Sequence, residues 1–309
     1  MRGPVSGSGR RLLAAVRAAL AMVVLAVLLG AVGCRQEESS GKLTVVATIY
    51  PLADFVENVA GDKVEVVTLL PAGASPHTYE PTPGDMKAVK RAALLVANGA
   101  GLDFWVEKLK SAASDNLVEL DTSVDLAKEG LLLSGDEGGG VNPHYWLDPV
   151  LAQKQVEAIA SALVAADSDN KDFYLANAAN YVAQLQSLDQ GIKNEMQSFS
   201  SREFITFHPA WTYFARRYGL VEAAVIEEAP GKEPSPEYIG HVIDVAKALK
   251  VKAIFAEPQF STKWAESIAK DSGAKVLLLD PIGGPGLAGR DSYIALMRYN
   301  VGQMGEAMK

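Results

Sequence analysis

The sequence predicts an α/β protein of two lobes, each built on a parallel sheet, joined by one long rigid helix. Short β-rich runs alternate with helical runs in both halves of the chain, the pattern of a parallel sheet covered on both faces. Between the halves, residues 167 to 198 place Tyr174, Ala178, Tyr181, Leu185, Leu188, Ile192 and Met196 on one helical face. At 1.5 Å per residue this stretch runs roughly 45 Å, more than one lobe needs. Residues 34–309, 276 in number, are also long for one core and comfortable for two.

Taken in order, residues 1–33 read as a signal peptide. Four arginines (Arg2, Arg10, Arg11 and Arg17) and no acid precede an apolar run from Ala18 to Gly30. That run is shorter than the about 20 residues a membrane span takes. It ends in Ala31-Val32-Gly33-Cys34, which resembles a lipobox, with the only cysteine of the chain as the acylated residue and new N-terminus. Ala31 stands where such boxes more often carry leucine. No intramolecular disulfide is available to a single cysteine. Residues 34–42 form a polar linker.

Residues 43–166 are the expected first lobe. Strands are expected at 43–48, 64–70, 93–98 and 117–120, with helices at 51–61, 83–92 and 101–111 between them. Pro51 near a helix start and Gly61 near its end fit this reading. A Gly-rich acidic loop interrupts the alternation, and Asp148-Pro149 opens another helix. Residues 167–200 are the linking helix, and 201–309 the second lobe. There the strands are EFITF (203–207), KAIFAE (252–257) and KVLLLD (275–280). Ser235 serves as N-cap with Pro236 at the first helical position of a helix running to Lys250, and a helix closes the chain.

Without the leader, 25 basic residues face 37 acidic ones, a net charge of −12. Such a surface repels nucleic acid and tolerates cations. The chemistry gathers in the four histidines. His77 lies in a Gly/Pro-flanked loop just after a strand, His144 just before a helix, and His208 directly after EFITF, while Asp280 ends KVLLLD ahead of Pro281. Parallel α/β sheets bind ligands at the carboxyl ends of their strands, so three of these four stand where a site belongs. Two fall in each lobe, which puts a shared site in the cleft. Three imidazoles and a carboxylate are a borderline-soft donor set that suits tetrahedral Zn²⁺, and Mn²⁺ if the aspartate binds through both oxygens. Four protein ligands leave no open position for an activated water, the arrangement of a carrier.

PAGASPHTYEPTPGDMKAV, NPHYWLDP, FHPAWTYFARRYGL, GKEPSP, FAEPQFS and LLLDPIGG, in this order and spacing, closely resemble the zinc and manganese substrate-binding proteins of cluster A-I ABC transporters, the ZnuA/TroA-like family. The resemblance spans essentially the whole chain after the leader. It implies two Rossmann-like lobes joined by a rigid helix, and a metal held in the inter-lobe cleft by His77, His144, His208 and Asp280. It further implies a monomer, lipid-anchored through Cys34 on the extracytoplasmic side of the cell membrane, that delivers its ion to a membrane permease. Many zinc-specific members carry a long histidine-rich loop before the second ligand. Here that loop is SGDEGGG, with Asp136 and Glu137 only, which speaks against an auxiliary zinc site.

Other polar residues have plainer readings. His241 is expected on a solvated helix face, and Glu257 either supports a ligand histidine by a hydrogen bond or makes a structural contact. Tyr79, Trp146 and Trp211 flank ligands and either shield the site or belong to the core. Two other classes stay open at this point: a lipid-anchored zinc hydrolase with Glu257 or Glu228 as general base, and an adhesin that uses metal for structure. A hydrolase shows three protein ligands and a water, and an adhesin shows no metal-linked growth defect. If Cys34 carries lipid, Cys34→Ala releases the protein from the membrane fraction and leaves metal binding intact, as fractionation followed by metal titration measures; unchanged retention rejects the anchor.

Overall fold

A computed structural model describes residues 41–135, 140–229 and 231–309. The leader, Cys34 and the acidic pair Asp136 and Glu137 lie outside these residues. Leu43–Lys309 forms one compact unit. No helix among the described residues is long and apolar enough to cross a membrane.

The first sheet holds β1 (Leu43–Ala47), β2 (Val64–Thr68), β3 (Leu94–Ala97) and β4 (Val118–Asp121) in the order β2-β1-β3-β4. The second holds β5 (Glu203–Thr206), β6 (Val221–Val225), β7 (Ala253–Ala256) and β8 (Lys275–Leu278) in the order β6-β5-β7-β8. Every strand pairing is parallel. In each sheet the chain winds outward both ways from two central strands, leaving a crevice at their carboxyl ends. The helices are α1 (Tyr50–Ala60), α2 (Pro83–Arg91), α3 (Val106–Lys110), α4 (Ser123–Lys128), α5 (Pro149–Ala166), α6 (Lys171–Met196), α7 (Thr212–Tyr218), α8 (Pro236–Leu249), α9 (Lys263–Ser272) and α10 (Tyr293–Met308).

Local chemistry sets the helix boundaries. Thr82 and Asp85 close a reciprocal capping box around Pro83 at the start of α2. Asp148 accepts from Val150 N–H ahead of Pro149, and Ser235 accepts from Tyr238 N–H ahead of Pro236. Gly219 and Gly273 end α7 and α9 in the left-handed conformation.

All seven apolar residues of the expected stripe on α6 are buried. The helix has 26 residues, about 39 Å. It is packed against α5, α1 and α10, so it lies along the body and does not bridge open space. Its apolar face contributes to a single core that includes Val45 and Val96 of the first sheet and Phe204 and Phe255 of the second. Separate clusters cover the outer faces, with Val89 and Leu109 on the first sheet and Val242 and Ile268 on the second.

Two expectations need correction. Residues 101–111 are helical only over α3, because the preceding segment is bent into turns. Gly99, Ala100 and Gly101 take positive φ, and the Asp103 carboxylate accepts from the N–H groups of Asn98 (2.7 Å) and Gly99 (2.9 Å). The second sheet also has a fourth strand, β6, at its edge. Its residues VEAAV are half-buried, and the glutamate and two alanines between the valines weaken the strand signal.

The halves meet closely. Trp146 donates its indole N–H to Pro281 O (2.7 Å), Tyr293 O–H donates to Trp146 O (2.6 Å), and Tyr50 O–H donates to Asp291 O (2.6 Å). A Cβ added at Gly284 would stand 2.8 Å from the Cβ of Ala72. Gly284→Ala therefore wedges this seam and is expected to lower unfolding free energy by about 1–3 kcal/mol in denaturant melts. Gly302→Ala, in open space on exposed α10 surface, is expected to raise it by about 0.4–1 kcal/mol. Equal effects from the two would show that the seam is not tight.

Candidate metal centre

Each histidine arrives on a differently braced segment. His77 lies beyond β2, where the buried Trp105 donates its indole N–H to Pro76 O (3.1 Å) and fixes the turn. His144 precedes α5. Asn98, at the end of β3, donates its side-chain N–H to Pro143 O (3.0 Å), and Asn142 Oδ1 faces both the His144 backbone N–H (3.0 Å) and His144 Nδ1 (2.9 Å). His208 follows β5, and its Nδ1 lies 2.8 Å from Oε1 of Glu257, which follows β7. The central strands of the second sheet thus deliver an imidazole and the carboxylate that orients it.

These side chains converge from both halves of the chain. His77 Nε2 lies 3.1 Å from His144 Nε2, and His208 Nε2 lies 3.2 Å from the same atom. Among the described residues, these three histidines are the group whose ligand atoms gather within 4.8 Å of one another. His144 and His208 are 4% and 2% exposed, so the nitrogens face each other away from water.

The hydrogen bonds behind the rings set the tautomers. Asn142 presents an oxygen, because that atom also accepts a backbone N–H, so His144 carries its proton on Nδ1. Glu257 imposes the same tautomer on His208. With His208 neutral, both Nε2 atoms are bare lone pairs 3.2 Å apart. Lone pairs at that separation repel, and a cation placed between them removes the repulsion.

Electrostatics distinguish the three rings. Burial, then the neighbouring His208, pushes His77 down to about 3. Burial, His208 and His77 push His144 well below the ordinary histidine value. Burial also opposes charge on His208, but the Glu257 carboxylate outweighs it, with Glu222 and Glu227 further off, and raises His208 above its usual value. Burial raises Glu222 to about 7, although Thr206 and Thr212 hydroxyls donate to it.

A cavity of about 10 Å³ adjoins the rings, lined also by Ser75, Gln259, Phe260 and Ile282. It has room for about one water-sized sphere. Asp280 is buried just behind this lining and is not one of the gathered group. Its carboxylate accepts from the N–H groups of Ile282 and Gly283 (both 3.0 Å), Gln259 Nε2 (3.1 Å) and Arg290 (2.8 Å).

The remaining residues take distinct places. Glu257 makes the histidine contact, and Glu228 is exposed. Trp146 is buried with its ring 5.2 Å from that of His144, Trp211 is buried in the core, and Tyr79 packs edge-on against Trp105. His241 is exposed on α8. Asn142, Gln259 and Arg290 are not among the residues the sequence singles out. The Asn-Pro-His order marks Asn142 as a local turn former, whereas no spacing rule points to the other two.

Comparison with known proteins identifies the family. Residues 45–307 match the family model for ZnuA, described as zinc-uptake complex component A periplasmic. The chain is 32% identical over 289 residues to the high-affinity zinc uptake system protein ZnuA of Bacillus subtilis, covering 88% of this chain and 89% of that protein. It is 32% identical over 290 residues to the manganese-binding lipoprotein MntA of Halalkalibacterium halodurans, covering 90% and 94%. A crystal structure of ZnuA superposes with a TM-score of 0.78 at 36% identity, covering 86% of this chain and 99% of that one. A match over nearly all of the compact unit, in sequence and in fold, places the chain in the ZnuA family of periplasmic metal-uptake components.

Proposed function

We propose that this chain is the extracytoplasmic, lipid-anchored substrate-binding protein of an ABC importer, and that it captures a divalent transition metal and passes it to the membrane permease. It is a binding component and not an enzyme. The observation that carries the reading is the convergence of three Nε2 atoms, two of them bared by their Nδ1 partners, in a site drawn from both halves of the chain. Residues 43–166 and 201–309 act as the two lobes, with 167–200 as the link.

His77, His144 and His208 form the preformed donor set for the cargo, and Asp280 supplies the fourth ligand on capture. Three imidazoles and one carboxylate favour Zn²⁺ over Mn²⁺, which takes more oxygen. The relatives carry both zinc and manganese names, so the donor set is what tips the reading to zinc. Cys34 would tether the protein to lipid, and the anionic surface would leave it without affinity for nucleic acid.

Protons compete with the ion. A ligand histidine must be neutral, and only His208 has a value above the ordinary one, whereas His77 and His144 already resist protonation. Between pH 7 and 5 each ion bound therefore displaces one proton rather than three. Apparent affinity is expected to fall about tenfold per pH unit in that window, as competition titration measures. A thousandfold fall per unit would show three titrating ligands, and a flat profile would move the ion elsewhere.

Purification without chelator followed by elemental analysis identifies the cargo. At free metal 1,000-fold above the dissociation constant, the ion is expected to add about 4 kcal/mol to apparent stability in thermal melts. Single alanine replacements of His77, His144, His208 or Asp280 each remove most of that gain, while His241→Ala keeps it. Retention of the full gain without His77 or His144 would sink the shared site.

A further inference from the structure

Asp280 is held in three separate ways. Its backbone N–H donates to Asn300 Oδ1, and its carbonyl accepts from Asn300 Nδ2, both at 2.8 Å. Its Oδ1 accepts from two loop N–H groups and from Gln259. Among the described residues, Oδ2 is met by the Arg290 guanidinium alone, at 2.8 Å. Backbone and Oδ1 are therefore held chiefly by the Asn300 amide and by loop N–H groups, whereas Oδ2 is held by the long Arg290 side chain.

Arg290 is loosely satisfied in return. It is partly exposed, its guanidinium lies 5.2 Å from the Tyr299 ring centroid, and its buried Nε meets no partner among the described residues. It ends the turn Pro281–Arg290, in which Gly283, Gly286 and Gly289 take positive φ. The same turn places Ile282 against the histidine cavity. A carboxylate buried to 1% exposure is stabilised by a cation beside it. Arg290 fills that role when no ion is present, and a divalent ion among the histidines would fill it better.

We propose that Arg290 is an internal counter-cation that holds Asp280 Oδ2 while the histidine site is empty, yields it to the incoming ion, and reclaims it on release. The inference rests on the histidine site proposed above. Capture must break the Arg290–Asp280 pair, so Arg290 weakens binding and prevents the cargo from being held too tightly to deliver. The cost falls most heavily on an ion that depends on oxygen, so Arg290 also discriminates against Mn²⁺ relative to Zn²⁺.

The test is a double-mutant cycle on the full-length chain in detergent, titrated with Zn²⁺ alone and Mn²⁺ alone against a fluorescent chelator. Arg290→Leu is expected to tighten Mn²⁺ binding by about tenfold or more, and Zn²⁺ by less. The gain must vanish when Asp280→Asn is added, because it passes through that carboxylate. Unchanged or weaker binding in Arg290→Leu overturns the proposal. So does a gain that survives in the Asp280→Asn background, since that would reflect plain charge repulsion. Arg290→Gln, which keeps a polar head, is run in parallel with the same expected sign. Asp280→Asn alone must weaken Mn²⁺, and unchanged binding there overturns the proposal even if both arginine variants misfold. If the unmodified chain binds neither ion, or His144→Ala binds as tightly as it does, the histidine reading itself fails. If histidine-dependent binding is intact and only the cycle is flat, Arg290 alone loses its role.

Discussion

Bare imidazole nitrogens held 3.2 Å apart away from water repel one another, and much of this protein can be understood as the frame that keeps them there. Left to themselves, His144 and His208 would rotate to donate or take up water. Each is prevented by an acceptor on its far side, Asn142 Oδ1 for one and Glu257 Oε1 for the other. Those acceptors are in turn set by backbone: Asn142 by the seam with Pro209 and Tyr213, Glu257 by the end of β7. The arrangement is therefore held by ordinary hydrogen bonds on the far sides of the rings.

The seam explains how two sheets can share one site. Neither sheet closes its core alone, because the α6 face and the buried aromatic residues around it belong to both. Trp146 illustrates the coupling. It lies two residues from His144, touches that ring, and donates to Pro281, one residue from Asp280. A displacement of one half relative to the other must therefore be felt at the ligands, which suits a protein that has to both seize and surrender an ion.

Charge around the site is graded. Glu257 touches a ligand ring, Glu222 and Glu227 act on His208 from further off, and Asp280 is neutralised by Arg290. Hydrogen bonds or an ion pair hold each of these carboxylates. The result is a cavity attractive to a cation but lined at first contact by imidazole nitrogen, the chemistry that separates a borderline-soft metal site from a calcium site.

What the sequence by itself determined was local or periodic. The α6 stripe, the caps at Asp148 and Ser235, the strand-helix alternation and the placing of His208 and Asp280 at strand ends were all legible, because each depends on residues a few positions apart. The edge strand β6 was not, since half-buried alanines carry little pattern. Nor were the turns before α3, where Asp103 captures backbone N–H groups. Only the tertiary structure decided that His77 and His208, far apart in sequence, approach the His144 imidazole, that Glu257 rather than Glu228 faces His208, and that Arg290 occupies Asp280. Those are facts about which loops meet across a seam. They depend on sheet order and on a shared core, and no short-range spacing in the chain encodes either.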